Sequence, residues 1–223
     1  RLKVLGFEAA GEVVEVGKNV TRFKPGDRVL ASNGFMLGGH SEYFLVDAKH
    51  GVAVTIPDNL SFEEAAALQF GGVTSLVFFE KGRLKAGERL LVKGGAGAVG
   101  VLAIQIARHM GVHVTAVCSA KNADLMRALG ADVVVDYAKT DITQLTDKFD
   151  VVMDNHGNAP YRRIRHLLKP GGRFLMVIGN LYEMIAGKFN AAVVNADDVD
   201  DAFSERIFQQ FIDLASSGAI HAG

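Results

Sequence analysis

The apolar run Leu90-Leu91-Val92-Lys93 passes directly into Gly94-Gly95-Ala96-Gly97-Ala98-Val99-Gly100, and a helix-forming segment follows. Gly95, Gly97 and Gly100 satisfy the spacing G-x-G-x-x-G. The first glycine permits a tight turn, the second lets backbone approach a pyrophosphate, and the third lets the helix pack closely on the strand. Amides at the start of the helix that opens at Ala98 would face the phosphates. The same spacing also serves a tight turn that holds nothing. With a strand before it and a helix after it, the dinucleotide site is the favoured reading.

The rest of the chain agrees with a βαβ unit built around that turn. From Arg89 onward strands alternate with helices: a buried-type strand at Arg89–Lys93, a helix over Ala98–Met110 ended by Gly111, and a strand at Val112–Cys118. A helix over Asn122–Leu129 is stopped by Gly130, and strands follow at Asp132–Asp136, Phe149–Met153 and Arg173–Ile178. A helix near Tyr161–Leu168 ends at Lys169-Pro170-Gly171-Gly172, and Ala192–Asn195 offers a short sixth strand. Alternation of this kind specifies an α/β fold, a doubly wound parallel sheet with helices on both faces. The last segment places Phe203, Ile207, Phe208, Phe211, Ile212 and Ala215 on one helical face.

The first 60 residues have a different texture. Gly11 to Val16 is β-rich and ends at Gly17-Lys18-Asn19; Pro25-Gly26-Asp27 turns the chain before Arg28-Val29-Leu30-Ala31. Glu42 to Val46 is another strand candidate, and Pro57-Asp58-Asn59 closes a region that reads as part of a small β-barrel. Ser61-Phe62-Glu63-Glu64 is a capping box that opens an Ala-rich helix. The chain divides accordingly into residues 1–62 and 63–223.

Bulk properties narrow the function classes. The 223 residues carry a formal net charge of −1, which points to neither nucleic acid nor an anionic membrane. No apolar run approaches the roughly 18–20 residues of a membrane helix. Arg1 to Gly6 does not resemble a signal peptide, and the absence of an initiator Met suggests a fragment. The single cysteine, Cys118, excludes an internal disulfide and a multi-cysteine zinc lobe, and fits a reducing, cytoplasmic setting.

The end of the second strand bears on cofactor choice. An NAD site usually offers Asp or Glu there, about 20 residues past the glycines, to hold the ribose hydroxyls. Here the segment is Cys118-Ser119-Ala120-Lys121-Asn122, and the first carboxylate, Asp124, falls inside the next helix. Ser119 and Asn122 donate hydrogen bonds and Lys121 adds positive charge, a set suited to a 2′-phosphate and hence to NADPH. The alternative is a solvated loop that tolerates either cofactor.

Several stretches together carry a family resemblance. They are Gly6-Phe7-Glu8-Ala9-Ala10-Gly11, Phe23-Lys24-Pro25-Gly26-Asp27-Arg28-Val29, Gly39-His40-Ser41-Glu42-Tyr43, Glu63 to Thr74, Gly94 to Gly100 and Leu168 to Gly172. In these the chain resembles the medium-chain dehydrogenase/reductase superfamily, and within it the zinc-free quinone oxidoreductase (zeta-crystallin-like) branch. The resemblance implies a partial GroES-like β-barrel domain beside a Rossmann domain, with the active site in the cleft between them. It implies truncation, with further chain before Gly6 and a C-terminal return to the barrel after Gly223. It also implies a homodimer paired through the sheet edge near Ala192–Asn195.

Zinc-dependent members carry Gly-His-Glu where this chain has Gly6-Phe7-Glu8, and a cysteine ligand where it has Phe70. The resemblance therefore implies no metal. It assigns Gly97, Ala98 and Val99 to pyrophosphate, Thr74 to the nicotinamide end, and Ser119, Lys121 and Tyr137 to the 2′-phosphate. Asn155 and Gly179 match loops that border the cofactor, although Asn155-His156-Gly157 departs from the family wording Asp-x-Val-Gly.

The implied function is NADPH-dependent, zinc-independent hydride transfer to a quinone or α,β-unsaturated carbonyl. The alternatives are a non-catalytic NADPH-binding regulatory or structural protein, and an enoyl-thioester reductase. No residue stands out as the proton donor. His40 and His156 read as polar loop residues, and His109 and His113 as residues flanking the Gly111 turn. Cys118 reads as a small core residue. Asp197, Asp198, Asp200 and Asp201 read as acidic residues preceding a helix, and Phe203, Phe208 and Phe211 as core.

Overall fold

The computed structural model describes residues 4–33, 37–47, 49, 51–179, 187, 190–195 and 201–221. Its contacts divide the chain into two units, Arg1–Phe70 with Val199–Ala222, and Gly71–Asp198 with Gly223.

The first unit holds three antiparallel strands in the order β1-β2-β3: β1 (Glu8–Glu12), β2 (Arg28–Ser32) and β3 (Val52–Thr55). Ala10 lies opposite Leu30, and Leu30 opposite Val54, so the inward-facing residues stack in one row. Leu30 and Val54 are buried. The Arg28 guanidinium donates to the Pro57 and Leu60 carbonyls, each at 2.8 Å, and lies 4.6 Å from the Phe62 ring centroid. One side chain thus ties β2 to the turn before the first helix.

Two strand expectations fail here. The run Gly11–Val16 continues as a strand only to Glu12, because its partner turns at Pro25–Asp27. Val13 still donates to the Asp27 carbonyl and accepts from Gly26, but pairing ends there. Glu42 to Val46 forms no strand. Its backbone is instead held by side chains: Ser41 donates to the carbonyls of Gly38 and Tyr43, Asn33 donates to the Leu45 carbonyl, and Asp47 N–H donates to Asn33. Tyr43 and Leu45 are exposed, so no burial rewards a ladder. Val52–Thr55, just ahead of the Pro57-Asp58-Asn59 turn, is a strand not among those expected.

The capping box forms as read. Ser61 N–H donates to the Glu64 carboxylate at 3.0 Å and Glu64 N–H to the Ser61 hydroxyl at 3.1 Å, opening α1 (Phe62–Lys81). The division between units falls within this helix, after Phe70. The last helix, α5 (Asp201–Ser216), packs against β3 and buries Ile207, Phe208, Phe211, Ile212 and Ala215. The 63–223 grouping placed this helix with the alternating region; by contacts it clusters with the first unit. Asp197, Asp198, Asp200 and the Asp201 side chain lie outside the described residues.

The second unit is a six-stranded, all-parallel sheet. Its strands are β4 (Arg89–Lys93), β5 (His113–Cys118), β6 (Val133–Asp136), β7 (Phe149–Asp154), β8 (Leu168–Met176) and β9 (Val193–Val194). The order β6-β5-β4-β7-β8-β9 is the doubly wound order, with the switch point between β4 and β7. The central strands read as continuous apolar runs because both faces are covered. On one face Leu91, Val117, Val152, Phe174 and Met176 pack with Ile164 and Leu167, from α4 (Tyr161–Ile164) and the 3₁₀ turn Arg165–Leu167. The alternate face meets α2 (Ala98–His109) and the end of α1: Gly95 sits against both Ala116 and Ile104, and Gly82 against Leu175.

β8 begins earlier than the glycine-rich stop signal suggests. Leu168 pairs with Phe149 and Arg173 with Val151, so Lys169 to Gly172 bulge opposite the single residue Asp150. Lys169 secures the bulge through its ammonium, 2.7 Å from the Asp150 carboxylate.

At the opposite end of the strands from the glycine turn, Arg173 clamps three segments. Its guanidinium donates to both Glu88 oxygens at 2.9 and 2.7 Å, and to the carbonyls of Gly82 and Arg83 at 2.7 and 3.0 Å. The bidentate bond from Arg173 holds the Glu88 carboxyl below its ordinary range. A carboxylate lowered in the folded state contributes stability at neutral pH that is lost as pH falls through its unfolded and then its folded pKa. Arg173→Leu should cost about 2–4 kcal/mol in urea unfolding at pH 7. The gap to wild type should narrow below about pH 4.5, where Glu88 protonates in the unfolded chain. A gap independent of pH between 7 and 3 would show that the clamp acts through packing alone.

Candidate functional site

The glycine turn is built from three close approaches. Gly94 adopts φ +78°, a left-handed conformation that side chains disfavour. Gly95 donates to the Val117 carbonyl at 3.0 Å, which draws the turn to the end of β5. A Cβ on Gly100 would stand 2.2 Å from the Gly94 carbonyl oxygen and 2.6 Å from that of Gly95. Only a residue without a side chain lets α2 start directly on the turn. Gly97 and Ala98 are exposed at its mouth, and Gly97 caps α2 without a side-chain bond. The first-turn amides of Ala98, Val99 and Gly100 have no acceptor within the helix, the condition that makes a helix start receptive to anions.

The residues singled out in the sequence gather at this same end of the sheet. Ser119 follows β5 and caps the 3₁₀ turn Ala120–Asn122 without using its hydroxyl. Asn122 likewise makes no cap bond to α3 (Ala123–Ala128). Lys121 is exposed. Tyr137 comes next to them because its N–H donates to the Cys118 carbonyl at 3.2 Å, and the residue is 61% exposed. Asp124 lies in the first turn of α3 and pairs with Arg127 at 2.8 Å.

On the other side of the switch point, Asn155 N–H donates to the Lys93 carbonyl at 3.2 Å. Its Cβ lies 3.5 Å from the position a Gly94 Cβ would take. Both polar atoms of the Asn155 carboxamide are buried with no hydrogen-bond partner among the described residues. Gly179 follows β8 and folds back over Met176. Thr74 arrives from α1, whose Gly71 sits so close to α2 that a Cβ there would lie 2.2 Å from the Ala98 oxygen. Ser75 secures that crossing by donating to the Gly71 carbonyl at 2.7 Å and the Val99 carbonyl at 3.3 Å.

Three residues at this end escaped the sequence reading. Lys93 and Asp154, the last residues of β4 and β7, form an ion pair at 3.1 Å with side chains only 12% and 2% exposed. A charged residue closing an otherwise apolar strand was the visible signal. Asp136 closes β6 opposite Cys118, a carboxylate left out of the argument about the β5 end; it turns back to accept the Ala138 N–H at 3.0 Å. Cys118 is buried, and burial first, then the Asp136 charge, pushes its thiol pKa up.

The histidines singled out in the sequence are exposed. His156 is exposed, with its backbone N–H bonded to Asp154; His109 and His113 are exposed on either side of Gly111. His40 is exposed, its ring lying against Gly6. In the first unit Phe7 and Phe70, the two positions matched to zinc ligands, come together with ring centroids 6.5 Å apart.

Comparison with known proteins places this geometry. Residues 98–214 match the family described as zinc-binding dehydrogenase, and residues 3–58 match the alcohol dehydrogenase GroES-like domain. A 2-methylene-furan-3-one reductase of Solanum lycopersicum is 38% identical over 79% of this chain and 47% of its own length. An NADPH-dependent alkenal/one oxidoreductase of Arabidopsis thaliana is 35% identical over the same shares. The chain thus spans about half the length of these relatives. The solved quinone oxidoreductase of Coxiella burnetii superposes with a TM-score of 0.83 at 27% identity, over 96% of this chain and 68% of that one.

The glycines separate folding from ligand approach. Gly100→Ala should destabilise the protein by about 3 kcal/mol, since backbone must move to admit the methyl group. Gly97→Ala, whose Cβ would meet only the Gly94 oxygen at 3.5 Å, should leave the urea midpoint nearly unchanged. Equal midpoints for the two variants would refute this account of the turn.

Proposed function

The chain belongs to the medium-chain dehydrogenase/reductase superfamily, in its quinone oxidoreductase branch, and on that premise we propose an NADPH-dependent reductase of quinones or α,β-unsaturated carbonyls. The observation that carries the reading is the pairing of an open glycine turn with a β5 end that offers Ser119, Lys121 and Asn122. Substrate class and cofactor follow the named activities of the relatives, one of which is named for NADPH.

NADPH, when bound, supplies the hydride. The protein's share is to bind and orient it. First-turn amides of α2 at Ala98, Val99 and Gly100 would hold the pyrophosphate, at the mouth that Gly95 and Gly97 keep open. Ser119, Lys121, Asn122 and the Tyr137 hydroxyl would hold the 2′-phosphate. Thr74 would lie near the nicotinamide end, and Asn155 and Gly179 would border the cofactor, Asn155 with a buried donor and acceptor to offer. A quinone or enone spreads incoming charge onto oxygen, and so needs less electrophilic help than a ketone whose developing alkoxide is localised.

We read the site as zinc-independent. The Phe7 and Phe70 rings meet where ligands would be needed, and neither ring coordinates a cation. We assign residues 1–62 to the GroES-like part and the alternating strands and helices after residue 63 to the Rossmann part, with α5 grouped by its contacts with the first unit. The protein is proposed to be a homodimer joined through the two-residue edge strand β9, whose open side needs covering. No helix among the described residues is long and apolar enough to cross a membrane. The buried single thiol supports a cytoplasmic setting. Light scattering and elemental analysis of one preparation should find a dimer without stoichiometric zinc. A zinc-loaded monomer would overturn both.

Cofactor preference tests the central reading. NADPH should bind about ten- to hundredfold more tightly than NADH, about 1.5–3 kcal/mol, typical of hydrogen bonds to a charged group. Ser119→Asp should reverse the order by repelling the phosphate and accepting bonds from a free ribose diol. Lys121→Ala should weaken NADPH alone and make its binding less sensitive to salt. Calorimetric titration of both cofactors checks this, followed by turnover with quinones, enones and acyl thioesters. Equal wild-type affinities would show the β5 end misread. Binding without turnover on any acceptor would favour a regulatory role, and selective turnover of thioesters an enoyl reductase.

A further inference from the structure

Lys93 and Asp154 stand opposite each other at the switch point, as paired residues at the last positions of β4 and β7. The Lys93 ammonium meets Asp154 Oδ1 at 3.1 Å and also donates to Asn158 Oδ1. The Asp154 carboxylate accepts three backbone N–H groups as well, from His156 at 2.9 Å, Gly157 at 3.1 Å and Ala159 at 3.2 Å. The segment 155–159 is therefore wound around one carboxylate, and Lys93 ties that carboxylate and the far side of the loop to β4. Gly157 completes the fit with φ +71°, at a place where a Cβ would lie 2.9 Å from Ile178.

A buried ion pair of this kind contributes little net stability over an apolar pair, because desolvating both charges offsets their attraction. What it fixes is position. Lys93 is nearly buried and already bonded to two acceptors, which suits a tether better than a ligand for phosphate. The one residue of this loop with unsatisfied buried polar atoms is Asn155, held between the Lys93 carbonyl and the Gly94 turn.

We propose that Lys93 is a positioning residue for the dinucleotide: through Asp154 and Asn158 it holds the 155–159 loop so that the Asn155 carboxamide stands ready beside the glycine turn. The identity of the ligand rests on the NADPH reading above; the tethering itself does not. Preorganised polar groups bind without the cost of ordering them at the moment of binding, so loosening the tether should show in affinity and in loop opening together.

The test is native-state hydrogen exchange combined with NADPH titration of the whole protein. In Lys93→Met the amides of His156, Gly157 and Ala159 should exchange at least about tenfold faster, while those of α2 stay unchanged. NADPH affinity should fall about tenfold, Asn155→Ala should give a similar loss, and the double variant should lose no more than the larger single loss. Lys93→Gln, which keeps a neutral N–H donor group, should fall between wild type and Lys93→Met in both measurements. Unaltered loop exchange in both Lys93 variants overturns the tether. Losses that add in the double variant overturn action through Asn155. If the wild type takes neither NADPH nor NADH, the functional reading fails, and loop exchange still decides whether Lys93 is the tether.

Discussion

Close packing of α2 onto its own entry turn is the constraint on which the rest of the second unit depends. With Gly100 pressed against the carbonyls of Gly94 and Gly95, the helix starts within one turn of the strand end. That leaves its first amides without acceptors inside the helix. The same closeness recurs where Gly71 of α1 meets Ala98, so a second helix reaches the turn without a side chain intervening. Each contact trades local helix propensity, about 1 kcal/mol per glycine, for geometry that no other residue permits.

Charge is distributed to suit this arrangement. The strands are apolar through the middle, and ion pairs close both ends: Arg173 with Glu88 at one, Lys93 with Asp154 at the other. The first gathers carbonyls and a carboxylate around one guanidinium. The second organises a loop of backbone donors around one carboxylate. A sheet wound this way places its loops of variable chemistry at a single edge, and every residue singled out for the cofactor except Thr74 lies in such a loop or at the head of α2.

The parallel sheet was legible because most of its strands are short apolar runs that alternate with helical periods, with glycines marking several of the turns between them. The end of β5 stood out in the sequence for a chemical reason, the missing carboxylate after Cys118. What escaped was set by tertiary contacts. Glu42–Val46 is rich in aromatic and branched residues like a strand, yet Asn33 and Ser41 bond its backbone first. Lys169-Pro170-Gly171-Gly172 reads as a stop, but the flanking residues pair with β7 across the bulge. Lys93 and Asp154 are 61 residues apart, and only the fold brings them together.

Cys118 shows what the sheet does for the chain's single thiol. It closes β5 one residue before the proposed phosphate contacts, yet it is turned into the core and kept protonated by burial and by the neighbouring Asp136. Enones are alkylating agents whose usual protein targets are thiolates, and a protonated, enclosed sulfur is a poor nucleophile. A protein that reduces such compounds would meet them at each turnover. Here Cys118 is shielded from adduct formation by the same strand that leads into Ser119.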